Sequence, residues 1–150
     1  MRREPVDVAG LLATGRLVPQ APDLVALTDS VDAADRDVIA SDANLALFSP
    51  WAEAMLYEAG LRAARVMVQA AGYRIDAGQG AHVTAIDGAD AITGRAHHPV
   101  FVRLHRMRRR RHDFMYETAA DPTERDLAQA RVDVSTLIGL ARHAIEALAK

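Results

Sequence analysis

The sequence predicts an all-α protein: an up-and-down bundle of four main helices with a short N-terminal accessory helix. Three observations carry the prediction. Apolar residues fill half of the 150 positions and recur with a helical period nearly throughout. Alternating runs of valine, isoleucine and threonine, the mark of half-buried strands, are missing. Proline, glycine and short polar residues fall between the periodic segments, where helices start and stop.

In chain order, Asp7 is placed to cap a short helix through Thr14, with Gly15 as its left-handed stop. Pro22 and Asp23 open a second helix through about Ala40, where Leu24, Leu27, Val31, Val38 and Ile39 form a thin apolar stripe among aspartates. Ser49-Pro50-Trp51 reads as an N-cap followed by a first-turn proline, beginning a helix to Ala71 with Gly72 as stop. Leu56, Ala59, Ala63, Val66 and Ala70 share a face there, and the small residues with Gly60 permit a neighbouring helix to come close. A loop from Ile75 to Gly80 leads to a shorter helix over about Ala81 to Thr93, followed by Gly94. His98-Pro99 begins the next helix, expected to continue through Thr118. Asp121-Pro122-Thr123 precedes a final helix whose Leu127, Val134, Ala141 and Leu148 recur every seventh residue beside Ala130, Leu137 and Ile145. That spacing is a bundle seam. Residues 1–150 read as a single domain, the first twenty being accessory helix and lead-in.

Cysteine is absent, which removes disulfides, thiolate catalysis and thiolate metal sites and agrees with a reducing compartment. Met1 to Pro5 lead into no apolar signal-peptide core, and no apolar stretch approaches the roughly 20 residues of a membrane span. A cytoplasmic protein without membrane association is expected. The net charge of −2 is unevenly placed: residues 1–60 hold 4 Arg/Lys against 10 Asp/Glu, and residues 61–150 hold 14 against 10. A basic face within an acidic protein follows.

The densest charge is "RLHRMRRRRHDFMYE", residues 103–117, with six arginines in its first nine positions. At about 100° per residue, Val100, Leu104, Met107, Phe114 and Met115 share one arc, which faces the bundle. Arg103, Arg106, Arg109 and Arg110 fall opposite and read as a solvated basic face. Arg111 lies in the middle of the apolar arc and Arg108 at its edge. A guanidinium so placed must be paired, reach a water-filled cleft or meet an anion. Glu58 and Glu53 are the partners available for Arg111. Two readings stand: a buried structural ion pair, or a functional cleft lined by Arg108, Arg111, His112 and Tyr116.

Tyr57-Glu58-Ala59, then Gly72-Tyr73, then Gly80-Ala81-His82, then Arg-Arg-Arg-Arg-His-Asp-Phe-Met-Tyr-Glu at 108–117 resemble, in that order, the HEPN superfamily (higher eukaryotes and prokaryotes nucleotide-binding domain). The likeness is to the small stand-alone bacterial members and covers nearly the whole chain, including the leading DVAGLLATGRL segment. The resemblance implies an α-helical bundle that forms a homodimer, with two motif helices at a shared cleft. It also implies an RNA- or nucleotide-directed role, as in metal-independent ribonuclease toxins of toxin–antitoxin or defence systems, often neutralised by a nucleotidyltransferase-type antitoxin. The family motif is arginine, a polar residue, then histidine four to six residues after the arginine. Arg111 matches the arginine and His112 the polar position; Tyr116 stands where the histidine would be.

RNA cleavage by its own 2′-hydroxyl requires a proton acceptor, a proton donor and a cation at the phosphate. Arg111, His112 and Tyr116 are the catalytic candidates, Arg108, Arg109 and Arg111 the phosphate-binding ones, and Glu58 a supporting ion pair. Arginine suits phosphate through its planar fork, His112 titrates in the useful range, and Tyr116 is at best a donor or a positioning hydroxyl. No cofactor or metal is expected. Binding without cleavage and a purely structural dimer remain the alternatives. Outside the motif, His97-His98 reads as helix entry, His82 as capping or loop packing with a cleft contribution as the other reading, His143 as surface, and Gly78-Gln79-Gly80 as a turn.

Overall fold

A computed structural model describes residues 6–116 and 120–150, with Tyr116 described by its backbone alone. The Tyr116 side chain and Glu117, both in the arginine motif, therefore lie outside the described residues. In order the chain forms α1 (Val8–Ala13), β1 (Leu17–Pro19), α2 (Leu24–Asn44), α3 (Ser49–Ala70), β2 (Tyr73–Ile75), α4 (Ala81–Ile92), α5 (His98–Tyr116) and α6 (Glu124–Leu148). It is an all-α bundle with a short N-terminal helix.

Local chemistry sets the starts. Asp7 accepts from the Gly10 amide at 2.7 Å, Asp23 from Ala26 at 3.1 Å and Thr123 from Asp126 at 3.0 Å, each satisfying an otherwise orphaned first-turn N–H. At α3 the expectation is corrected. Phe48 occupies the cap position without a side-chain cap, and Ser49 is already helical. The Phe48 carbonyl accepts from Trp51 and Ala52 and so opens the helix one residue earlier. The second helix also continues past Ala40 to Asn44.

One element was absent from the sequence expectation. β1 and β2 pair antiparallel, with Leu17 opposite Ile75, Val18 opposite Arg74 and Pro19 opposite Tyr73. Three residues each are too few to display an alternation. The pairing exists because Gly72, at φ +96°, turns the chain out of α3, and because Leu17 is buried.

Helix α3 runs through the middle of the molecule, packed by α2, α4, α5 and α6. Thirteen of its 22 residues are buried, more than a single stripe could supply. Neighbouring helices come close at Gly60, where an added Cβ would stand 2.8 Å from Leu104 Cδ1 of α5 and 3.6 Å from Val134 Cγ2 of α6. Along α6, Leu127, Ala130, Val134, Leu137 and Ala141 are buried against it, whereas Leu148 is exposed. No described helix is long and apolar enough to cross a membrane.

Candidate phosphate site between α3, α4 and α5

Phe101, Leu104 and Met107 are buried and fix the rotation of α5 on the bundle. With that rotation Arg111 points toward α3. Its Nη2 donates to Glu58 Oε1 at 2.9 Å, and its guanidinium carbon lies 5.7 Å from the centre of the Tyr57 ring. Both ends of the ion pair remain about one third exposed. The pair forms a cation–π stack floored by a tyrosine that is itself wholly buried.

Tyr57 leads on to α4. Its hydroxyl lies 3.0 Å from Nδ1 of His82, in the first turn of that helix. Burial, reinforced by Glu58, pushes the Tyr57 pKa up to about 12, so the phenol keeps its proton. A buried O–H must donate, and His82 Nδ1 is the acceptor in reach. The proton of the neutral imidazole is then on Nε2. His82 is held below its usual range, first by burial and then by Arg65, with Arg111 and Arg108 adding to it and Glu58 opposing. Gly80, at φ +86°, begins α4 with no capping side chain, and no acidic residue sits in the first turn. The positive end of the helix beside His82 therefore meets no carboxylate from the first turn of α4 itself.

Two further guanidinium groups complete the cluster. Arg65 follows Glu58 by seven residues, two helical turns, on the same side of α3. Arg108 precedes Arg111 by three on α5. The Arg108 Nε is closed off from solvent and has no acceptor among the described residues. Among the described residues, three arginines against one carboxylate, with the tyrosine and histidine neutral, leave an excess of two positive charges.

The remaining motif residues divide differently from expectation. Arg106 and Arg109 are exposed. Arg103 and Arg110 are not on a solvated face. Arg103 donates twice to Asp133 of α6, at 2.6 and 3.0 Å, and Asp133 is only 4% exposed. Arg110 Nε donates to the buried Glu53 at 2.9 Å. The arc opposite the apolar stripe of α5 is thus partly covered by α6 and by the start of α3, and the carboxylates on those helices draw the arginines in. Burial raises the Glu53 pKa, with Arg110 working against that shift. His105 turns to Asp87, which also holds Arg16, tying α4 and α5 to the start of β1. His112 is exposed. Phe114 packs edge-on against Trp51, with centroids 5.2 Å apart. His98, expected to mark helix entry, is the first residue of α5 and bonds Asp90 at 2.6 Å.

The sequence reading grouped Arg108, Arg111 and Glu58, did not single out Arg65, and gave His82 to capping or loop packing with a cleft contribution as the other reading. The i, i+7 spacing of Glu58 and Arg65 was the available signal. A cavity of about 500 Å³ lies elsewhere, between α2, α3 and α6. Of its polar groups, Ser41 donates to the Ala52 carbonyl at 2.7 Å, and Asp42 pairs with Arg131 at 3.1 Å. In comparisons with known proteins, no family model, curated protein or solved structure matches the chain.

Proposed function

We propose that the chain is a HEPN-like, RNA- or nucleotide-directed protein that holds phosphate between Arg65, Arg108 and Arg111. The observation that carries this reading is the Arg108 Nε, buried without an acceptor among the described residues, on the helix that also carries the Arg111–Glu58 pair. A buried cationic donor left unpaired is costly, and an anion entering the cluster would satisfy it. Arginine forks match phosphate geometry, and the neutral Nε2–H of His82 would add a donor that carries no charge.

Binding is the primary role in this reading. Metal-independent cleavage is the second version, implied by the resemblance, with Arg111 at the phosphate and His112 and Tyr116 as the proton-transfer candidates. His82 is unsuited to the base role, since Tyr57 engages Nδ1 and leaves a proton on Nε2. The setting we propose is cytoplasmic, as a homodimer and within a toxin–antitoxin or defence system with a nucleotidyltransferase-type antitoxin. Fluorescence anisotropy with labelled RNA across a salt series tests the binding. Association is expected to weaken steeply with salt, and Arg108→Ala with Arg111→Ala to weaken it at least about tenfold. Salt-sensitive binding that survives both substitutions would place the phosphate elsewhere. RNA breakdown in EDTA, lost in Arg111→Ala, would establish cleavage; intact RNA after long incubation at high protein concentration would exclude it.

A further inference from the structure

We propose that this cluster selects a phosphate monoester dianion, as on the end of an RNA or a mononucleotide, over an internal phosphodiester. The proposal deepens the phosphate-directed reading and rests on it. Charge is the first argument. Among the described residues the cluster carries an excess of two positive charges, three arginines less Glu58, and no histidine charge to add. A monoester above its second pKa of about 6 carries two negative charges and a diester carries one. A diester would leave one guanidinium unbalanced in a site where the Arg108 Nε is already shut off from water, and unbalanced charge is costly at low local dielectric.

Donor geometry is the second argument. The donors come from three helices: Arg65 on α3, His82 on α4, Arg108 and Arg111 on α5. All three arginines stand close enough to Tyr57 and the half-buried His82 to act on both electrostatically, and the Tyr57 hydroxyl ties that histidine to α3 at 3.0 Å. A terminal phosphate offers three unesterified oxygens and one point of attachment. An internal diester offers two such oxygens and must route the chain out on both sides. Glu58 takes one nitrogen of Arg111 at 2.9 Å, the kind of contact a phosphate oxygen would make with the same guanidinium. Its carboxylate also keeps the cluster from binding polyanions indiscriminately.

The test uses the full chain and one oligoribonucleotide sequence made with a 5′-phosphate or with hydroxyls at both ends. Inorganic phosphate and a nucleoside 5′-monophosphate serve as competitors. The 5′-phosphorylated form is expected to bind about tenfold more tightly than the hydroxyl form, with both competitors displacing it. Arg65→Gln is expected to abolish the preference, and Glu58→Gln to raise affinity for inorganic phosphate. Melting curves of both variants check that they fold. Binding of the small monoesters with no preference between the two RNAs supports the monoester site and identifies its source as a free nucleotide. Equal binding of both RNAs without displacement by either competitor overturns the proposal and leaves the RNA-binding reading standing. No binding by any probe overturns both.

Discussion

At the scale of single residues, the hydrogen bond between Tyr57 and His82 is the most informative contact of the site. It assigns a tautomer, and so it decides which atom of the imidazole can meet a ligand. It also has a pH consequence. His82 in the folded protein takes up a proton less readily than in the unfolded chain, where its pKa is the ordinary 6.5. Below that value the unfolded state binds more protons, so stability is lost as pH falls. Melting temperature is expected to drop between pH 7.5 and 5.5, and to drop less in His82→Gln. An equal drop in both proteins would show that His82 is not held neutral. Individual residues were also the hardest part to read from sequence. Arg111 could be placed from helical angles because its neighbours were apolar. Arg103 and Arg110 could not, because their rotation said nothing of the buried Asp133 and Glu53 on other helices waiting for them. A helical wheel knows the side of one helix and not what stands opposite.

Between elements, the reach of each signal explains why most helix starts were legible and the strand pair was not. Caps and prolines act within a few residues, so Asp7, Asp23 and Thr123 announced their helices locally. The β1–β2 ladder joins residues more than fifty positions apart and depends on where α3 ends. The small-residue face of α3 carried its message faithfully at Gly60, which seats Leu104 and Val134. Gly60→Val is expected to cost about 2 kcal/mol by overpacking, since the displaced side chains are themselves buried. Chemical denaturation measures it, and an unchanged midpoint would mean that α5 and α6 can retreat from α3 without loss. Because α5 carries Arg108 and Arg111, the same variant is expected to weaken phosphate binding without touching a ligand contact.

For the whole molecule, the exposed apolar residues are unevenly placed. Leu45, Leu47, Phe48 and Trp51 follow one another around the α2–α3 turn, with Trp51 against Phe114 near the end of the motif helix and Met115 exposed beside it in sequence. Clustered apolar exposure of this kind marks an association surface. It supports the proposed homodimer, and light scattering after size exclusion is expected to give twice the 16.2 kDa chain mass. Leu47→Glu, at a position 80% exposed and so harmless to the monomer's core, is expected to shift the protein to a single chain. A monomer in both proteins would remove the dimer from the functional reading. Composition and periodicity sufficed for the architecture at this scale. The exposed apolar patch escaped them because it is assembled from a turn and two helix ends. The central position of α3 reaches further still. Backbone amides on a helix wrapped by four others exchange with solvent only when the molecule opens globally. Tyr57, Glu58 and Arg65 therefore stand on the part of the fold that is last to open, and an anion bound to them reports through mass action on the unfolding of the entire chain.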